Sequence, residues 1–273
     1  MSGLNTEREK TVIEFLDING DKQALDTEKP FNVAFNADCM EFLKACPDKF
    51  WTLAIVDPPY GINADNFNNG AGAKSRIGEG STAKKSREKG RLNQGSGKLK
   101  NRLLNTSNCS WDNDPPTEEY FRELFRVSQN QVIWGGNYFQ LPPTRGIVVW
   151  DKMQPWENFS QVELAWTSFD KPAALFKYCN SGWTSSNGIK KWHPTGKPKA
   201  LYDWLYRKYA KPGDRVLDTH LGSGTNRLAA YDAGIDFAGL EISKEYFHQQ
   251  EEQFEEYTAQ ANLFLEYEKM DGF

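Results

Sequence analysis

No long hydrophobic run occurs in this chain. Its unbroken aliphatic stretches, such as Leu53-Ala54-Ile55-Val56, are a few residues long, far short of the roughly 20 apolar residues of a membrane-spanning helix, so no membrane partner is expected. Cysteine is scarce and scattered: Cys39, Cys46, Cys109 and Cys179 form no Cys-x-x-Cys pair, and the chain holds only 3 histidines. That usage argues against a structural zinc site or a disulfide scaffold and predicts no metal. The opening residues mix both charges without the apolar core of a secretory signal, which predicts a cytoplasmic protein. Net charge is also small, −4 over 273 residues, and taken as a total it does not suggest a nucleic-acid partner.

The total conceals an asymmetry. Between Gly61 and Ser110 ten basic residues face three acidic ones, a local excess of +7 that leaves −11 for the rest. The same stretch is rich in Gly, Asn and Ser and loses hydrophobic periodicity, so 61–112 reads as a basic, mobile insertion. Elsewhere the composition is globular, with 38% apolar and 14% aromatic residues. Short apolar runs predict strands at 31–35, 51–56, 131–134, 146–151, 162–169, 215–218 and 237–241. Periodic segments predict helices at 38–45, 118–127, 199–209, 225–233 and 244–266. Strands alternating with helices imply a Rossmann-like α/β fold, a mostly parallel seven-stranded sheet covered by helices on both faces. Residues 1–30 read as an N-terminal extension to a domain spanning 31–273.

In such sheets ligands lie outside the carboxyl ends of the strands, which directs attention to the residue after each strand. One signal is Val216-Leu217-Asp218-Thr219-His220-Leu221-Gly222-Ser223-Gly224-Thr225, a strand entering a glycine turn and then a helix. Glycines admit a ligand to the backbone and the helix N-terminus offers free amides. Alone it is equally an ordinary turn. Glu241, ending the next strand, adds a carboxylate near the offset at which ribose hydroxyls are held. Arg227 occupies the place of the third glycine of the dinucleotide fingerprint, so a nucleoside without a pyrophosphate fits better than NAD. A second signal, Asp57-Pro58-Pro59-Tyr60, closes the 51–56 strand with a carboxylate, a proline-fixed carbonyl and an aromatic ring. Trp134-Gly135-Gly136-Asn137 and Trp150-Asp151-Lys152 also end strands and either rim the same space or serve as buried tryptophans and an ion pair.

Together these residues resemble the amino-group DNA methyltransferases that use S-adenosylmethionine. Asp57-Pro58-Pro59-Tyr60 is similar to the family's catalytic tetrapeptide, Asp218-x-x-x-Gly222-Ser223-Gly224-Thr225 to its cofactor loop, and Glu241 to its ribose-binding acid. His193-Pro194-Thr195-Gly196-Lys197-Pro198 resembles its His-Pro-Thr-Gln-Lys-Pro segment, and Asn36-Ala37-Asp38-Cys39 its early Gly-Asp-Cys. The catalytic motif precedes the cofactor motif, which is the permuted order of the β group. Thr219-His220 stands where the family usually has Pro-Phe, and Gly196 where it has Gln.

The resemblance implies a class I methyltransferase fold and methyl transfer to adenine N6 of a base flipped out of double-stranded DNA, with cytosine N4 or an inactive cofactor-binding and DNA-binding protein as alternatives. It implies catalytic roles for Asp57, Pro58, Pro59 and Tyr60. It places Asp38, His193, Thr195, Lys197, Asp218, Gly222, Ser223, Gly224, Thr225 and Glu241 at the cofactor, with Asp38 on its adenine, Glu241 on its ribose and Asp218 at its amino-acid end. The basic insertion then offers Lys74, Arg76, Lys84, Lys85, Arg87, Lys89 and Arg91 to DNA phosphates, and 170–192, which holds Lys190 and Lys191, is a second candidate for target recognition. Members of the permuted order often form homodimers, and a bacterial or phage-infected cell is the expected setting.

Overall fold

The computed structural model describes residues 11–61, 115–153, 160–179 and 196–270, with side chains to residue 261. The chain divides into two compact units, one of residues 1–58 and 117–273 and the other of residues 59–116. Within the second unit, Gly61 has φ +68° and a Cβ there would lie 2.7 Å from Pro115 Cδ, so the described ends of that segment adjoin.

The first unit opens with an antiparallel hairpin of β1 (Val12–Leu16) and β2 (Lys22–Asp26), registered Ile13 opposite Leu25. Both strands fall within 1–30, the stretch expected as an N-terminal extension. The hairpin's signal was present as the alternation of Ile13 and Phe15 around Asn19-Gly20, a hairpin turn pair. The Asp17 carboxylate accepts the backbone N–H groups of Asn19 (2.8 Å) and Asp21 (3.0 Å) and closes the turn. Ile13, Phe15 and Leu25 are buried, and the Phe15 ring meets Phe35 and Phe42 edge-on at 5.0 and 4.9 Å. The hairpin is therefore part of the core.

The main sheet follows: β3 (Asn32–Phe35), β4 (Trp51–Val56), β5 (Ser128–Trp134), β6 (Ile147–Asp151), β7 (Val162–Thr167), β8 (Ala174–Lys177), β9 (Arg215–Asp218) and β10 (Asp236–Leu240). These eight described strands lie in the order β3-β10-β9-β4-β5-β7-β6-β8, one more than the expected seven. The added strand, β8, pairs in parallel with β6 at the sheet edge inside the stretch read as a recognition candidate. Four residues are too few to display a period. All strands run one way except β7, which is antiparallel to both β5 and β6.

Helices cover both faces. α1 (Cys39–Ala45) and α2 (Glu118–Val127) pack with the hairpin on the face formed by Ala54, Val56, Leu217 and Ala238. α3 (Lys199–Tyr209) and α4 (Thr225–Asp232) pack on the opposite face, formed by Leu53, Ile55, Val216 and Phe237. The period of two along β4, β9 and β10 thus feeds two separate cores. α5 (Lys244–Met270) follows β10. Thr117 caps α2 by accepting from Tyr120 N, and Asp38 caps α1 by accepting from Met40 N.

Candidate active site

Parallel pairing sets the site. β9 aligns with β4 (Leu53 opposite Val216) and with β10 (Asp218 opposite Gly239), and β10 with β3 (Leu240 opposite Phe35). The residues following these strands, Asp57, Thr219, Glu241 and Asn36, therefore emerge along one edge.

At the end of β4, Pro58 is buried and Asp57 is partly exposed. The Lys197 ammonium, 3% exposed, ion-pairs with Asp57 Oδ2 and lies 3.1 Å from Glu163 Oε2. It also sits 5.1 Å from the centre of the Trp134 ring. Lys152 completes the group, 2.5 Å from Glu163 Oε1. Burial works against the charge of Lys197, but Asp57 and Glu163 prevail and hold its pKa above the ordinary lysine value. Burial likewise pushes Glu163 up, while Lys197 and Lys152 hold it down at about 2. Lys197 is expected at the cofactor. Its carbonyl accepts from Thr225 Oγ1 at the glycine loop (2.8 Å), and its ammonium pairs with the Asp57 and Glu163 carboxylates. Glu163 escapes a reading of strand ends because it stands at the start of a strand. β7 runs backwards, so its N-terminal end reaches the same edge. The available signal was a carboxylate inside an otherwise apolar strand.

One strand over, Asp218 is buried. Its Oδ1 accepts from His220 N (3.0 Å) and its Oδ2 from Asn226 Nδ2 (2.8 Å). Burial raises its pKa to about 7; the two hydrogen bonds pull it down, and the charges of Asp57 and Glu241 push it further up. Asn226, also missed by sequence reading, is itself oriented by the Tyr206 hydroxyl, which donates to its Oδ1 at 2.5 Å. The glycine turn ends in Gly224, the N-cap of α4, at φ +70°. A Cβ there would lie 2.9 Å from Gln250 Cβ, so glycine is required both by conformation and by the close approach of α5. Ser223 Oγ and Thr225 Oγ1 are 3.1 Å apart.

Glu241 is buried at the end of β10. Its Oε2 accepts from Gly222 N and its Oε1 from Ser243 N, both at 2.8 Å, and burial raises its pKa against these bonds. Asn36 Nδ2 donates to Glu241 O at 2.7 Å, joining the ends of β3 and β10 beside the exposed Asp38. Arg227 has a structural occupation: it donates to Asn32 Oδ1 (3.0 Å) and Gln250 Oε1 (3.0 Å), pairs with Glu251 (2.6 Å) and covers the Phe254 ring at 3.8 Å. It ties α4 to β3 and α5 where a dinucleotide fold would need a glycine.

Thr219-His220 forms a polar chain, with the Tyr120 hydroxyl 2.6 Å from Thr219 Oγ1 and that oxygen 2.9 Å from His220 Nδ1. Burial pulls His220 down to about 4, so its imidazole is neutral at physiological pH. Trp134 and Trp150 are both buried. Cys39 and Cys46 are free thiols pushed up to about 12 chiefly by burial and are poor nucleophiles. Among the described residues no group of His, Cys, Asp and Glu could hold a metal, and no helix is long and apolar enough to cross a membrane. Pro59 and Tyr60 belong to the second unit. His193, Thr195, Lys190, Lys191, Lys74, Arg76, Lys84, Lys85, Arg87, Lys89 and Arg91 lie outside the described residues.

The doubly wound sheet with one reversed strand is a Rossmann-like α/β architecture, and carboxylates stand at or just after the carboxyl ends of β4 (Asp57), β9 (Asp218) and β10 (Glu241). Burial first, and then the charges of Asp57 and Glu241, raise the Asp218 pKa, so a sulfonium or ammonium beside it would favour its ionised form.

The family model described as DNA methylase, covering N6 and N4 amino-methyltransferases, matches residues 52–252. The chain belongs to this family, whose members transfer a methyl group from S-adenosylmethionine to amino groups of DNA bases, and it is an amino-group DNA methyltransferase. Among its relatives, the type II methyltransferase M2.DpnII of Streptococcus pneumoniae is 25% identical over 247 residues, covering 78% of this chain and 86% of that protein. The type II methyltransferase M1.MboII of Moraxella bovis is 24% identical over 260 residues, covering 80% and 94%. The solved complex of M1.HpyAVI with SAM is 19% identical with a TM-score of 0.43, covering 81% of this chain and 98% of that one.

Proposed function

We propose that this protein methylates N6 of adenine in double-stranded DNA, at a base flipped out of the duplex. The observation that carries the reading is Asp57, heading Asp-Pro-Pro-Tyr, at the carboxyl end of β4 next to β9 and its glycine loop. Within the family an Asp at this position favours adenine and a Ser favours cytosine.

An exocyclic amine is a poor nucleophile because its lone pair is conjugated into the ring. The chain must hold the nitrogen in the pyramidal geometry that frees the pair. Asp57 and the Pro58 carbonyl accept the two N–H groups, orient the lone pair and stabilise the positive charge that develops on nitrogen. Asp57 then takes the proton that the amine sheds. Tyr60 stacks on the flipped base. S-adenosylmethionine, when bound, supplies an activated methyl group on a sulfonium. Asp38 holds its adenine, Glu241 its ribose hydroxyls and Asp218 its amino-acid end, with Gly222, Ser223, Gly224 and Thr225 lining the loop and His193 and Thr195 beside it. Lys74, Arg76, Lys84, Lys85, Arg87, Lys89, Arg91, Lys190 and Lys191 follow DNA phosphates. The enzyme works as a homodimer in the cytoplasm of a bacterial or phage-infected cell.

The test is to incubate the protein with methyl-labelled S-adenosylmethionine and unmethylated genomic DNA, digest to nucleosides and identify the labelled base by mass spectrometry. Label on N6-methyladenine is the expected result. Label on N4-methylcytosine overturns the target base, and absence of label overturns the activity.

A further inference from the structure

Behind the catalytic carboxylate runs a line of alternating charges: Asp57, Lys197, Glu163 and Lys152. The Lys197 ammonium is almost fully buried against Trp134, and Glu163 lies on a different strand from every motif residue. Paired with Asp57 alone, Lys197 would tether that carboxylate but also cancel much of its negative field, which is the field a target amine needs as it becomes positive. Glu163 changes this balance. Its Oε2 lies 3.1 Å from the same ammonium, and its other oxygen pairs with Lys152, so its own direction is set.

We propose that Glu163 is a positioning residue for methyl transfer. Acting through Lys197, it lets the ammonium anchor Asp57 by Oδ2 and fix the rotation of the carboxylate, while sharing the positive charge so that Asp57 remains an effective acceptor for the target amine. The proposal rests on the reading above that Asp57 receives the amine. The line joins three segments that are remote in sequence: the end of β4, the β6–β7 hairpin with Lys152 and Glu163, and the residue two before α3. Only a reversed β7 brings Glu163 to this edge.

The experiment compares the wild-type protein with Glu163→Gln, Lys197→Met and the double variant. It measures kcat and KM for methyl transfer to DNA, and S-adenosylmethionine affinity by calorimetry. Glu163→Gln keeps shape and removes charge. It is expected to lower kcat about tenfold while cofactor affinity stays within about threefold of wild type, a range smaller than one decade of binding. Because Glu163 acts through Lys197, the double variant should be no slower than Lys197→Met alone. A kcat for Glu163→Gln within about twofold of wild type, or rate losses that multiply in the double variant, would overturn the proposal. If Glu163→Gln does not fold, Lys152→Met tests the same line one link further out, and an unchanged kcat there overturns the proposal as well. Wild-type protein that labels no DNA base brings down the functional reading and this proposal with it; active wild type with unaffected variants brings down this proposal alone.

Discussion

The two carboxylates Asp57 and Asp218 differ sharply in environment. Asp57 is partly exposed and tied to a buried cation, whereas Asp218 is buried among polar groups and two other acids. Asp57→Ala should abolish methyl transfer and leave S-adenosylmethionine binding largely intact, as checked by parallel activity and calorimetric measurements. Asp218 gives a pH prediction. Burial raises its pKa to about 7 from 3.8, so without cofactor the folded state binds more protons than the unfolded state between those values, and stability falls as pH rises through that window. A cationic cofactor favours the ionised form. Its affinity should therefore weaken as pH falls below about 7, at most tenfold per pH unit from this one group. Titrating binding from pH 8 to 5.5 checks this, and Asp218→Asn should bind more weakly with that dependence flattened.

The elements owe their positions to packing as much as to local preference. α1 has only 7 residues, too short to be stable alone. It is held because Phe42 and Leu43 are fully buried and because Phe15 of the hairpin closes over Phe42. Phe15→Ala should lower the unfolding free energy by about 3 kcal/mol, measured by urea denaturation. If the hairpin were a dispensable extension, the loss would fall within the scatter of surface substitutions. The glycine loop shows the opposite balance, since its φ of +70° at Gly224 is a local requirement that the sequence states openly.

For the molecule as a whole, charge is divided between a net-negative body and the basic stretch after Asp57-Pro58-Pro59-Tyr60. If that stretch contacts DNA, binding should weaken steeply with salt, the logarithm of affinity falling linearly with the logarithm of salt concentration. Replacing Lys84, Lys85, Arg87 and Lys89 with Gln should reduce the slope by about 0.9 for each lost phosphate contact. Fluorescence anisotropy with duplex DNA at several salt concentrations reads this directly. An unchanged slope would free the stretch from that role.

Much of this protein was legible in one dimension. Short apolar runs bounded by Pro and Gly locate most strands, 199–209 is read as a helix to the residue, and Asp57, Asp218, Gly224 and Glu241 are marked because their signals are local: a carboxylate at a strand's end, or a glycine in the turn between strand and helix. Other features depend on which strands become neighbours, and no spacing encodes that. The hairpin's place in the core, the edge strand β8, the orientation of Asn226 by Tyr206 and the approach of Glu163 to Lys197 all arise from contacts between residues far apart in the chain. The reversed β7 is the clearest case. Reversing one strand carries the beginning of β7 to the edge where the other strands end, and a carboxylate that looked like an interruption of an apolar run becomes a neighbour of the Lys197 and Asp57 pair.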